Sequence, residues 1–222
     1  KFLILIIYGD AFMKNFCIAG FGEVMLRLAP QGKKRFAQAL PGSLDATFGG
    51  GEANVCASIA MLGGRSRYLT ALPDNPVVRA FAAQLAGLGC DVSRINYAKC
   101  GRMGVYYAEH GSNMRGSNVV YDREGSTISM LAPEDYDFEQ MLEGVTHLHL
   151  SGITPSLTEN AFKSTLAIAK KAVELKEKAQ DLVELAIEKG TPILRDMAEE
   201  VRLKTIDVTK EVLKKLENAD KK

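Results

Sequence analysis

The sequence predicts an α/β fold in which a mainly parallel sheet is flanked by helices, carries a smaller antiparallel layer and ends in a helical tail. Three observations predict it. Short apolar runs alternate with longer helical runs between residues 16 and 90, and that alternation favours βαβ units and a parallel sheet. Residues 102–131 then break into short β-prone runs punctuated by Gly, Ser and Asn, the texture of an antiparallel meander. Beyond Val173 the composition turns to Glu, Lys and Leu, with Val201, Val208, Val212 and Leu216 recurring at helical spacing.

The N-terminal stretch KFLILIIYGDAF carries an apolar run from Phe2 to Tyr8. It is shorter than the ~20 apolar residues of a spanning helix and lacks the apolar core and cleavage site of a signal peptide. Met13 opens MKNFCIAGFGEV in the manner of a natural start, so residues 1–12 read as a leader of non-native or read-through origin. FCIAGFGEVMLRLAP reads as a buried strand, a turn at Gly20 and Gly22, and a second strand ending at Pro30. QGKKRFAQALPGSLDA reads as an excursion or lid loop. Glu52 to Leu62 has the small, apolar content of a buried helix stopped by Gly63 and Gly64. SRYLTAL is a strand, and Pro76 opens the helix PVVRAFAAQLAGLG in the first-turn position that proline tolerates, with Gly87 and Gly89 closing it.

GVYYAEH, SNVVYDR and STISML form the meander, VTHLHLSG restores a buried strand, and SLTENAFKSTLAIAKKAV starts a helix capped by Ser156 or Thr158. The tail is expected as two amphipathic helices broken at Gly190–Pro192, covering edges and apolar faces that a partial sheet leaves open. The domain organisation is therefore a body over residues 13–173, with a lid at about 24–48 and 102–131, and a tail over 174–222.

Composition narrows the function. The 222 residues suffice for one large domain or two small ones, and 46% hydrophobic with 25% charged content is ordinary soluble globular material. A formal net charge of +1 supplies no pull toward nucleic acid or an anionic membrane, which leaves a small molecule or a protein as the expected partner. Cys17, Cys56, Cys90 and Cys100 form no CxxC pair and no histidine sits at finger-like spacing, as in a cytoplasmic chain with reduced thiols. Cys17 and Cys56 lie in apolar runs, where a free cysteine behaves as a small hydrophobe. His147 and His149 share one face of their strand but supply too few ligands for a metal.

FGGGEANVCASIAMLGG, residues 48–64, sets Gly49, Gly50 and Gly51 where a strand turns into a helix. Glycine lets a ligand touch the backbone, and a helix start offers unpaired N–H groups to phosphate oxygens or sugar hydroxyls. A tight turn with close helix–strand packing explains the same residues. No GK[ST] follows, so this is not a P-loop, and the spaced G-x-G-x-x-G of a dinucleotide site is absent. GFGEVM is a lone GxG after a strand and equally unspecific.

GGGEANVCASIAMLGG is preceded by GFGEVMLRLAP and followed by GRMGVYYAEHG, VVYDREGSTISMLAP and HLHLSGITPSL. Together, in this order from about Met13 to about Val173, they resemble the amino-terminal part of a PfkB/ribokinase-type sugar kinase, and most closely the 2-keto-3-deoxygluconate kinases. The resemblance implies a partial ribokinase-like three-layer sandwich whose β-lid closes over a sugar and often pairs two subunits as a homodimer. It implies ATP-dependent phosphorylation of 2-keto-3-deoxygluconate or a related sugar acid, with ATP and Mg²⁺ serving the intact family. Carried over by position, Gly49 and Gly50 let the sugar lie on the backbone, Asn54 fixes a hydroxyl, and Tyr106 and Arg123 match lid positions that contact the ketodeoxy acid. The chemistry suits the substrate, since a guanidinium binds a carboxylate with two parallel hydrogen bonds. Arg27 is a further candidate for the sugar side. Tyr106 as a plain strand aromatic and Arg123 as a solvated turn residue remain the alternatives.

Phosphoryl transfer also needs a base and a cradle for the γ-phosphate. In the family resembled, both belong to a G-x-G-D motif in the carboxyl half, and no such motif occurs after residue 173. No catalytic residue is therefore assigned, and the chain is expected to be a truncated or fused kinase half that does not bind ATP competently. YGDAF at residues 8–12 imitates the end of that motif, but Ile7 replaces its first glycine and Asp10 precedes the first strand, as coincidence explains. The alternative function is a non-catalytic module that associates through its lid or tail.

Overall fold

The computed structural model describes residues 3–7 and 16–188. In chain order the elements are β1 (Leu3–Ile7), β2 (Cys17–Phe21), β3 (Met25–Ala29), α1 (Phe36–Ala39), β4 (Asp45–Gly49), α2 (Gly51–Met61), β5 (Arg65–Leu69) and β6 (Ala71–Pro73). They continue with α3 (Pro76–Gly87), β7 (Asn96–Ala98), β8 (Gly104–Glu109), β9 (Asn118–Asp122), α4 (Thr127–Met130), α5 (Phe138–Leu142), β10 (His147–Ser151) and α6 (Glu159–Glu188).

The unbroken burial of Cys17–Phe21 is that of a strand covered on both faces. It lies inside a sheet of order β1-β10-β2-β5, in which β10, β2 and β5 run parallel. β1 pairs antiparallel with β10, Leu3 opposite Ser151 and Ile7 opposite His147, within the segment that the sequence reads as a leader. On one face Phe21, Leu69, Leu148 and Leu150 pack with Phe138 of α5 and Ile168, Ala169 and Ala172 of α6. On the other, Tyr68 packs with Ala53 and Cys56 of α2 and Phe81 and Leu85 of α3. Helix, sheet and helix thus make three layers, as the α/β reading requires. Burying Leu148 and Leu150 in the α5–α6 core turns His147 and His149 to the opposite face, where both are buried.

A second sheet, of order β4-β3-β8-β9, forms the lid. β3 is antiparallel to β4 and parallel to β8, and β9 closes the edge antiparallel to β8. Residues 45–49, expected to belong partly to a loop, supply its strand β4. STISML, expected as a strand, is instead the short helix α4. Thr127 hydrogen-bonds the distant Cys100 carbonyl, and Ser129 bonds back to the Ser126 carbonyl, a local side-chain bond of the kind that competes with a strand ladder.

Of the two cap candidates for α6, Thr158 accepts from the Ala161 N–H at 3.1 Å. α6 runs without a break across the expected boundary at residues 173–174. The expected break at Gly190–Pro192, the stripe from Val201 to Leu216 and Asp10 lie outside the described residues. Among the described residues no helix is long and apolar enough to cross a membrane.

Candidate functional site

Gly50 caps α2 with extended backbone, φ −168°, and neither Gly49 nor Gly51 has a positive φ. Conformational freedom therefore does not explain the glycine run. Close approach does. The Tyr106 hydroxyl occupies the place a Gly49 side chain would take, and a Cβ on Gly50 would lie 2.6 Å from the Glu23 carbonyl oxygen. Nothing lies within 4 Å of the same position on Gly51. Groups of the chain itself, Tyr106 of β8 and the backbone at Glu23, press on the first two glycines, as the close-packing reading expects.

The lid register sets the rest. Arg27 is paired with Thr47 on one side and Tyr106 on the other, and Tyr106 is paired with Tyr121. Directly paired residues share a sheet face, so Arg27, Thr47, Tyr106 and Tyr121 form one polar and aromatic surface, continued by Gly49 two residues beyond Thr47. The Tyr106 and Tyr121 rings lie 5.9 Å apart. Arg27 donates to Thr47 Oγ1 at 3.4 Å and lies 2.7 Å from His110 Nε2. Burial pushes the Tyr106 phenol up from its ordinary value, with Arg27 acting in the opposite sense, so Tyr106 keeps its proton and stays a hydrogen-bond donor at neutral pH.

Arg123, one residue past β9, lies with its guanidinium carbon 5.5 Å from the Tyr121 ring centroid and donates to Glu23. Glu23 sits in the link between β2 and β3, with its side chain 3% exposed against 23% for Arg123. Its own N–H donates to Thr154 Oγ1 at 3.2 Å. Glu23 is the residue that sequence reasoning missed: its backbone touches Gly50 and its carboxylate holds Arg123. The available signal was an acid set between the turn glycine Gly22 and the apolar Val24 and Met25.

Asn54 stands apart from this surface. Its backbone belongs to α2, donating to the Gly50 carbonyl at 2.9 Å, and the residue is exposed. It lines a shallow groove with Phe48, Gly49, Gly50, Phe81 and Leu88. Gly49 and Gly50 are thus walls common to the groove and to the lid face. The structure brings Gly49, Gly50, Tyr106, Arg123 and Arg27 to one seam, and Asn54 to the groove that Gly49 and Gly50 line.

Glu52, in the first turn of α2, is 1% exposed and its Oε1 has no hydrogen-bond partner. Among the described residues no group of three or more His, Cys, Asp or Glu is arranged to hold a metal ion. The arrangement sets cationic and phenolic side chains next to one another on one sheet face, a combination suited to hydroxyl and carboxylate groups.

Residues 18–200 match the profile of the pfkB family carbohydrate kinase, a span that runs past Val173. Over 177 residues, 80% of this chain, it is 30% identical to a 2-dehydro-3-deoxygalactonokinase from Haloferax volcanii, of which it covers 50%. The crystal structure of a 2-dehydro-3-deoxygluconokinase from Thermotoga maritima aligns with a TM-score of 0.63 at 38% identity, over 78% of this chain and 48% of that one. A PfkB family carbohydrate kinase from Listeria grayi aligns with a TM-score of 0.66 at 25% identity, over 91% and 69%. The chain spans about half the length of the first two of these relatives. With its profile matched and its three-layer fold and lid in place, the chain belongs to the pfkB family of carbohydrate kinases.

Proposed function

We propose that this chain is the sugar-binding side of an ATP-dependent kinase for 2-keto-3-deoxygluconate or a related keto-deoxy sugar acid, acting in the cytoplasm. The observation that carries the reading is the lid face, where Arg27, Tyr106 and Tyr121 adjoin Gly49 and Arg123 follows on the same edge. The relatives at 30% and 38% identity are a 2-dehydro-3-deoxygalactonokinase and a 2-dehydro-3-deoxygluconokinase, and for a substrate that carries a carboxylate arginine is the side chain whose fork matches it. On this reading Arg123 and Arg27 supply cations to the acid end, and Tyr106 donates to a sugar oxygen. Because the Tyr106 hydroxyl and the Glu23 carbonyl close off the side-chain positions of Gly49 and Gly50, a sugar lying on this backbone would approach it from the groove that the two glycines line with Asn54.

ATP with Mg²⁺ would supply the phosphoryl group, which a primary hydroxyl attacks in line. This chain's residues bind, orient and exclude water. No base is assigned to them, so the chain alone is expected to release ADP slowly or not at all. Calorimetric titration of the full chain with 2-keto-3-deoxygluconate and with fructose tests the reading. Saturable binding of the acid that exceeds binding of fructose is expected. A folded protein that binds neither overturns it.

A second reading, association through the lid, is favoured by β9. This edge strand has every residue exposed, including Val119, Val120 and Tyr121 at 43%, 54% and 59%, and an apolar edge strand invites pairing. A homodimer on sizing that Val120→Lys converts to monomer is expected, and a wild-type chain that stays monomeric at high concentration removes this reading.

A further inference from the structure

We infer that Glu23 is a positioning residue for Arg123, fixing the guanidinium in the orientation that reads the carboxylate of a sugar acid. The inference rests on the sugar-acid reading above and adds to it a residue that touches no substrate. Glu23 occupies the link that joins the body strand β2 to the lid strand β3. Its backbone is held from two sides, by the N–H bond to Thr154 Oγ1 at 3.2 Å and by the contact of its carbonyl with Gly50. Its carboxylate is therefore a fixed point, whereas an arginine side chain at a strand end has many rotamers open to it.

The way the pair is bonded argues against a purely structural role. Glu23 takes one guanidinium N–H, while Glu23 Oε1 and Arg123 Nε are both buried and have no hydrogen-bond partner. An ion pair that serves only the fold gains most from the fork-to-carboxylate geometry with two bonds. A guanidinium held by one bond, with 23% of the side chain open beside the Tyr121 and Tyr106 rings, is shared between Glu23 and the lid face. Holding it there in advance lowers the ordering cost when a ligand arrives.

Gly104 of β8 supplies the room. A Cβ at that position would lie 3.2 Å from Arg123 Cβ, 3.4 Å from Glu23 Oε1 and 2.9 Å from Met25 Cγ. A methyl group there crowds the pair without removing either charge.

The test is calorimetric titration of the full chain and of Glu23→Gln, Glu23→Ala and Gly104→Ala with two probes, 2-keto-3-deoxygluconate and its uncharged methyl ester. Glu23→Ala should lose about tenfold in affinity for the acid, the scale of one charge-assisted hydrogen bond, with the ester changed little. Glu23→Gln, which keeps an acceptor, should recover part of the loss, and Gly104→Ala should reproduce it. A merely structural residue would weaken acid and ester in parallel. That result, or no change for either probe in a wild type that binds the acid, overturns the positioning role and leaves the sugar-acid reading intact. A folded wild type that binds neither probe overturns the sugar-acid reading and the positioning role with it. If Glu23→Ala does not fold, Glu23→Gln and Gly104→Ala decide on the same acid-to-ester ratio.

Discussion

The Tyr106 hydroxyl fills the space into which a side chain on Gly49 would extend, and the ring carbons Cε1 and Cζ would stand 3.2 Å from such a group. Gly49→Ala must therefore push the Tyr106 ring away from the end of β4, at a cost of about 1–3 kcal/mol typical of overpacking, and should weaken sugar binding with it. Tyr106→Phe removes the oxygen but not the ring, so it should relieve part of that cost. Denaturant melts of the two single variants and the double variant measure the coupling. Strictly additive losses would show that the hydroxyl is not what the glycine accommodates.

Asn54 offers a contrast, being exposed on α2 at the edge of the groove shared with Gly49 and Gly50. Asn54→Ala should change stability by no more than about 0.5 kcal/mol, as surface substitutions do. If Asn54 fixes a sugar hydroxyl, affinity should fall by several-fold, the worth of about one neutral hydrogen bond. Unchanged affinity in the titration removes Asn54 from the site.

The body was legible in the sequence because its signals are local. Apolar runs, the Pro76 start and the Gly63–Gly64 stop each act within a few residues, and the corresponding helices and strands form where those signals stand. The lid was legible as texture only. STISML has a β-prone pattern, and the bonds that make it helical come from Cys100, 27 residues away from Thr127. The candidate site followed the same division. Gly49, Gly50, Tyr106 and Arg123 were found through motif order, which carries no geometry. Glu23 was missed because its partner is 100 residues away in the chain, and no local pattern marks a buried acid held across a lid seam.

The cysteines make a chemical prediction. Cys17, Cys56 and Cys90 are buried and Cys100 is exposed, and all are free. Hydrogen bonding to Cys90 and then burial push the Cys56 thiol well up, and burial pushes Cys17 up as well, which removes the thiolate that alkylating reagents need; Cys90, pushed down by its bond to Cys56, is shielded by burial alone. Only Cys100 should react with a maleimide at neutral pH in the native protein, all four reacting after denaturation. Fast native labelling of Cys56, read by peptide mass, would contradict the packing of α2 against the sheet.

His149 gives the fold a pH dependence whose sign can be worked out. It lies on β10 and is 5% exposed. Burial lowers its pKa from the ordinary 6.5, and the Glu52 carboxylate facing it from α2 pulls the other way without prevailing. The unfolded chain therefore takes up the proton at a higher pH than the folded one. Stability from this group is complete above 6.5 and is lost as pH falls toward the lower folded value, with a slope of at most one proton, about 1.4 kcal/mol per pH unit. Denaturant melts between pH 5 and 8 should show the loss on the acid side in the wild type and a flatter profile in His149→Gln, which cannot titrate. Equal slopes in the two proteins would mean that His149 is protonated as readily in the folded chain as in the unfolded one, and that Glu52 rather than burial governs it.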